Sequence, residues 1–248
     1  MEKTNETFEK VAPKNVGKLD MVIAFDTTGS MAHYIGAVRH EVATLIPELF
    51  RDNEDLRLGI VAFGDYCDMK SATEFGAAYQ VIHPTDNANA LIKFVKEARD
   101  TAGGDSDEFY ELVIKKIVEE TPWREGATRS VLLIADACPH EVGYSFRNIV
   151  ENARIDWREE AREAVKKGIK FDTVTIHPLP WFKELSQMTD GVSVPFRSGE
   201  KTNDLVRASV SARGSYVARE RFDAMMDDCD DEELREVFRS YKKTRDLF

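Results

Sequence analysis

Five consecutive apolar residues, Met21, Val22, Ile23, Ala24 and Phe25, run directly into Asp26-Thr27-Thr28-Gly29-Ser30, and this junction constrains the chain more than any other stretch. A β-rich run without polar alternation predicts a strand covered on both faces, the usual condition of strands in parallel sheets. Behind it, Asp26, Thr28 and Ser30 offer oxygen donors at positions i, i+2 and i+4, and Gly29 permits a tight turn among them. No imidazole or thiolate intervenes, so the donor set points to Mg²⁺ or Mn²⁺ rather than zinc.

The rest of the chain alternates strand and helix patterns. Ile35, Val38, Val42, Leu45, Ile46 and Leu49 recur at helical spacing. Residues 56–63 read as a second strand and 77–82 as a weaker third, followed by a helix burying Leu91, Ile92, Val95 and Ala98. Residues 101–108 form a Gly-rich loop before a helix burying Phe109, Leu112, Val113 and Ile117. A fully apolar strand over 131–135 also ends in a carboxylate, Asp136. A helix with Ala153, Trp157, Ala161, Ala164 and Val165 follows, closed by Gly168. Residues 169–176 make a fifth strand, 181–188 a helix, 192–196 an edge strand marked by Pro195, and 202–212 a further helix. This succession predicts an α/β fold: a doubly wound, mostly parallel sheet with helices on both faces.

Three parts follow from this organisation: a polar N-terminal extension over 1–17, an α/β domain over 18–213 and a charged, amphipathic helical extension over 214–248. In the last, residues 227–233 hold six acids in seven positions and precede Arg235, Arg239, Lys242, Lys243 and Arg245, a polarity that matches a helix dipole. Asp230 and Glu233 have capping-box spacing, and Leu234, Val237, Phe238 and Tyr241 form a stripe expected to dock on the chain's own domain.

Composition narrows the function classes. A net charge of -11 argues against nucleic acid as the principal partner, because a phosphate backbone is held by clustered Lys and Arg. Cys67, Cys138 and Cys229 are odd in number and form no CxxC pair, which points to reduced thiols and a cytoplasmic location. Residues 1–18 lack a hydrophobic signal region, and no apolar run is long enough to span a bilayer, so no membrane partner is expected. The sequence carries no signal of oligomeric state.

Asp26-Thr27-Thr28-Gly29-Ser30, then Thr101 in a Gly-rich loop, then Asp136 after an apolar strand resembles the metal-ion-dependent adhesion site of von Willebrand factor type A domains. The resemblance runs over about residues 18–212. It implies a Rossmann-like sheet of six strands in the order 3-2-1-4-5-6, which sets the first and fourth strands side by side and brings Asp26 and Asp136 to the crevice where ligands bind. It further implies that Thr28, Ser30 and Thr101 coordinate through hydroxyls, while Asp26 and Asp136 ligate directly or through water. Thr28 stands where the family more often has Ser, and the hydroxyl is retained. Two carboxylates leave an octahedral dication short of ligands, so a partner protein's Asp or Glu would complete the shell. Phe63-Gly64-Asp65-Tyr66-Cys67-Asp68, with Asp105, Asp107 and residues 135–140, is similar to intracellular members attached to atypical alpha-kinases. Asp65, Asp105 and His140 are candidates for the rim of the site, with His33 also near the metal face; the alternative is a solvated loop acid for Asp65 and plain helix or loop polarity for the histidines.

The function expected is a metal-dependent protein-binding module or scaffold, not an enzyme. The alternative is a haloacid-dehalogenase-like phosphohydrolase with Asp26 as nucleophile. Such enzymes usually place an acid two residues on, where this chain has Thr28, and Asp136 is followed by Ala137, Cys138, Pro139 and His140 with no second acid or Lys. Neither GxGxxG nor GxxxxGK[ST] occurs, against a nucleotide-binding sheet.

Overall fold

The computed structural model describes residues 17–196 and 200–245. The polar extension expected over 1–17 therefore lies, except for Gly17, outside the described residues. Six strands form the main sheet: β1 (Leu19–Asp26), β2 (Leu56–Phe63), β3 (Tyr79–Thr85), β4 (Thr128–Ala135), β5 (Ile169–Thr175) and β6 (Ser193–Pro195). Their order is β3-β2-β1-β4-β5-β6, and every neighbouring pair is parallel except β2 with the edge strand β3. The order is thus 3-2-1-4-5-6, as the sequence reading has it.

All eight residues of β1 are buried. Its side chains alternate between two cores, as the strand period demands. Leu19, Met21, Ile23 and Phe25 join the core under α1 (Ile35–Asp52) and α2 (Ala88–Glu97), whereas Val22 and Ala24 join the core under α3 (Tyr110–Glu120), α4 (Trp157–Lys166) and α5 (Pro180–Met188). The helix after β1 and the helix after β4 therefore lie on opposite faces. The chain ends of these adjacent strands open into a crevice at the point where the winding reverses.

The first core is completed by α6 (Glu200–Arg213), α7 (Tyr216–Asp227) and α8 (Glu232–Arg245). Phe222, Phe238 and Tyr241 are almost fully buried in it, so the charged C-terminal extension contributes to the core of the α/β unit. One ionic contact pins this layer to the sheet. Asp172 of β5 is fully buried and binds the Arg213 guanidinium, the Ser209 hydroxyl at 2.5 Å and the Val192 N–H at 2.8 Å. The Tyr241 ring lies 5.5 Å from that guanidinium.

Several boundaries differ from the sequence reading for identifiable reasons. The third strand starts at Tyr79 and runs on to Thr85 through Pro84. An edge position tolerates the missing N–H, and the pairing is bulged between Leu58 and Ile60. Ala153 lies outside α4, which begins at Trp157 because the Asp156 carboxylate accepts the Arg158 N–H. Gly168 follows that helix at φ 64°, as its position requires. The extension folds as two helices, α7 being capped by Ser215. At the start of α8 the Leu234 N–H is accepted by Asp231, and the capping-box pairing of Asp230 with the Glu233 side chain lies outside the described residues. Among the described residues no helix is long and apolar enough to cross a membrane.

Candidate metal centre

The loops at the C-terminal edge of β1 and β2 are stitched together by backbone hydrogen bonds. Thr27 N–H donates to Phe63 O at 2.8 Å, Thr101 N–H to Thr27 O at 3.0 Å and Gly29 N–H to Ala102 O at 3.1 Å. The Asp68 carboxylate fastens the same region by accepting the N–H groups of Ala102 at 2.8 Å and Gly103 at 3.2 Å. Gly64 is required by this close approach, since a Cβ there would sit 2.5 Å from the Thr101 hydroxyl.

Asp26 stands at the centre, fully buried. Its Oδ1 accepts the Thr28 N–H at 2.8 Å and the Thr28 hydroxyl at 2.7 Å, and its Oδ2 accepts the Tyr110 hydroxyl at 2.5 Å. The Ser30 hydroxyl lies 3.1 Å from that of Thr28. Because the single Thr28 proton points to Asp26, Ser30 is the donor to Thr28, and one lone pair of Thr28 stays available to a cation. Asp136, 4% exposed, has a buried Oδ1 without a hydrogen-bond partner. Burial pushes the Asp26 carboxyl up to about 7 against the hydrogen bonds of Tyr110 and Thr28, and the Asp136 charge adds to the rise.

Thr101 is placed differently from Thr28 and Ser30. Its hydroxyl lies 3.0 Å from that of Thr27, and Thr27 donates its own proton to Phe63 O at 2.8 Å, so Thr101 is the donor of the pair. It borders the β2 end of the crevice with its lone pairs unused in this contact.

A second group lies beside the first. Asp65, Asp105 and His140 bring one ligand atom each within 4.8 Å of one another. His140 and Asp65 are buried and contact through Nε2 and Oδ1 at 2.7 Å. Tyr144 stacks on His140 with ring centroids 3.6 Å apart and donates to Asp105 Oδ2 at 3.0 Å. Burial alone would lower the His140 imidazole, but the hydrogen bond and charge of Asp65 prevail and raise it. His33 is exposed at the end of the single helical turn Gly29–His33. Burial and neighbouring acids raise both Cys67, to about 12, and Cys138, so these thiols remain protonated and poorly reactive.

Glu108, Tyr110 and Glu111 escaped the sequence reading. Glu108 and Glu111 are buried, and each has an Oε2 without a hydrogen-bond partner. Burial, followed by the charges of Asp26 and Asp65, pushes Glu108 up to about 10. Glu111 rises to about 8, chiefly through burial, with the Tyr66 hydroxyl donating to it at 2.8 Å. The available signal was the run Asp105-Ser106-Asp107-Glu108-Phe109-Tyr110, with acids crowding a Gly-rich loop directly before a helix.

Among the described residues, the buried carboxylate oxygens without partners are Glu108 Oε2, Glu111 Oε2 and Asp136 Oδ1, all at this edge of the sheet. Unpaired carboxylates are costly to bury, and the hard oxygen donors around them are those a divalent cation takes.

A mostly parallel, doubly wound α/β sheet with polar groups gathered at its switch point defines the class of open-sheet α/β domains. More narrowly, the model of the von Willebrand factor type A domain matches residues 20–207, and the chain belongs to that family. Helices α7 and α8 lie beyond the matched residues. The fold is similar to that of the conserved hypothetical protein BatB from Bacteroides thetaiotaomicron, with a TM-score of 0.54 and 13% identity over 78% of this chain and 97% of that one. It is also similar to an aerotolerance-related membrane protein from Bacteroides fragilis NCTC 9343, with a TM-score of 0.52 and 13% identity over 77% and 98%. At such identity the likeness is one of fold. No curated protein matches the sequence.

Proposed function

We propose that this chain is a non-enzymatic, metal-dependent protein-binding module. Asp26, Thr28, Ser30 and Asp136, with Thr101 at the border, form a metal-ion-dependent adhesion site for Mg²⁺ or Mn²⁺. The observation that carries the reading is the Asp26-Thr28-Ser30 oxygen chain facing the crevice that also holds the orphan Asp136 Oδ1. A bound cation supplies Lewis acidity toward a carboxylate. The residues themselves position the hydroxyl donors, exclude water from Asp26 and leave an acidic side chain of a partner as the natural complement.

Both Asp26 oxygens are engaged by Thr28 and Tyr110, a geometry unsuited to a free nucleophile, and this supports the binding module over a phosphohydrolase. Membership of the alpha-kinase-associated type is part of the proposal and rests on residues 63–68, Asp105, Asp107 and residues 135–140. A cytoplasmic location is likewise proposed, supported by three cysteines that form no disulfide.

The test is affinity capture with wild type and Asp26→Ala, each with Mg²⁺ or with a chelator. A partner retained only by wild type with metal supports the reading. Phosphoester turnover that vanishes in Asp26→Asn would sink it.

A further inference from the structure

Glu108 has no role in the function proposed above, yet the fold buries it beside Gly103 and Thr28. Asp107 and Glu108 pair in parallel with Cys138 and Pro139, which fastens this carboxyl to the segment that carries Asp136. The His140 N–H donates to the Glu108 carbonyl at 3.3 Å and strengthens that tie. The side chain is 3% exposed. A Cβ on Gly103, where φ is 71°, would lie 2.8 Å from Glu108 Oε1 and 3.2 Å from Thr28 Cβ, so carboxyl and threonine converge over one glycine. Its Oε2 is buried without a partner. The charges acting on it most strongly are the acids Asp26, Asp65 and Asp68.

We propose that Glu108 is a resident third carboxylate ligand of the cation held by Asp26, Thr28, Ser30 and Asp136, filling the position that a partner's acid would otherwise take. The proposal rests on the metal reading above. With two carboxylates a dication is neutralised; with three the loaded site carries a net negative charge and repels a further acid. A partner's carboxylate therefore binds by displacing Glu108. The two-residue pairing of Asp107 and Glu108 is a short tether that such a displacement can open.

The experiment is Mn²⁺ calorimetry on the full chain, comparing wild type, Glu108→Gln, Glu108→Asp and Asp26→Asn. Ligation predicts that Glu108→Gln weakens Mn²⁺ at least about tenfold. Glu108→Asp, which keeps the charge but withdraws it by one methylene, weakens binding as well, and Asp26→Asn abolishes it. Wild-type affinity in both Glu108 variants, with binding lost in Asp26→Asn, overturns the proposal and leaves the metal reading standing. Unchanged binding in Asp26→Asn overturns both. Weakening in Glu108→Gln alone marks a through-space charge effect and also overturns ligation.

Displacement has its own readout in the water-proton relaxation of bound Mn²⁺ as acetate is added. Acetate should displace metal-bound water in Glu108→Gln far more readily than in wild type, and equal responses would remove the role of Glu108 as a plug. Should Glu108→Gln fail to fold, the calorimetry and the relaxation titration of Glu108→Asp decide in its place.

Discussion

The Tyr110 hydroxyl donates to Asp26 Oδ2 at 2.5 Å and accepts the Ala137 N–H at 3.3 Å, so one phenol at the start of α3 ties the end of β1 to the segment after Asp136. Burial drives the Tyr110 hydroxyl well above its ordinary range, aided by the charges of Asp26 and Asp136, so it stays protonated and serves as a fixed donor.

Replacing Tyr110 by Phe leaves a buried Asp26 oxygen without its donor, at a cost of about 1–3 kcal/mol measured by urea denaturation. A lost donor also raises the Asp26 carboxyl beyond about 7, so the pH at which Mn²⁺ binding is half-maximal should move upward. A midpoint that stays in place or moves down would contradict the coupling.

Metal-free stability should fall as pH rises. Asp26 goes from 3.8 to about 7, Glu111 from 4.5 to about 8 and Glu108 from 4.5 to about 10, all chiefly through burial, and His140 is raised as well. Each group binds its proton more tightly in the folded chain, so its contribution is complete below the unfolded value and is lost as pH passes the folded value. Melting in chelator should occur at higher temperature near pH 5 than near pH 8. Mn²⁺ should flatten or invert that slope, because the cation binds the deprotonated carboxylates. Asp20, lowered by Arg57 and Arg124 in spite of its burial, works in the opposite sense only in the acid range.

The buried contact between Asp172 and Arg213 should behave as a single unit. Asp172→Leu strands a guanidinium that is 6% exposed, and the expected loss is about 3–5 kcal/mol. Adding Arg213→Met should recover part of it, though Ser209 and Val192 still lose their acceptor. A double variant as unstable as the sum of the singles would show that the two residues are not coupled.

The sheet was legible because its signals are local. Residues 21–25 and 131–135 are unbroken apolar runs, and their burial on both faces leaves no other role for them. The carboxylates Asp26 and Asp136 were legible as strand terminators, and the crevice between them follows from strand order. Glu108 and Tyr110 were not, since what makes them matter is a contact across 84 residues to Asp26 and a two-residue pairing with 138–139, neither of which has periodicity. The sequence groups Thr101 with Thr28 and Ser30, and in the structure its hydroxyl lies 3.0 Å from that of Thr27. Within the helical extension over 214–248, α7 is not marked off as a separate helix by the sequence, because its buried residues, Ala218 and Phe222, are too few to mark an apolar face.

The C-terminal extension should prove integral to the folded chain. Phe238 is 1% exposed and meets Phe222 at a centroid distance of 5.7 Å with rings nearly perpendicular, so α7 and α8 share an aromatic contact over α6. Phe238→Ala removes that contact and opens a cavity in the core that also holds Leu45, Ile46 and Val210, for an expected loss of about 3–5 kcal/mol. Arg239, one residue on, pairs with the exposed Glu232 at 2.9 Å, and Arg239→Ala should change stability by less than about 0.5 kcal/mol. Urea denaturation of the two variants followed by Trp fluorescence and by far-UV circular dichroism makes the comparison, because Trp123, Trp157 and Trp181 pack in the opposite core and report only unfolding that spreads through the sheet, whereas helix loss at α8 appears in the dichroism. An early transition at α8 with the tryptophan signal unchanged would mean that the extension unfolds independently, as an appendage.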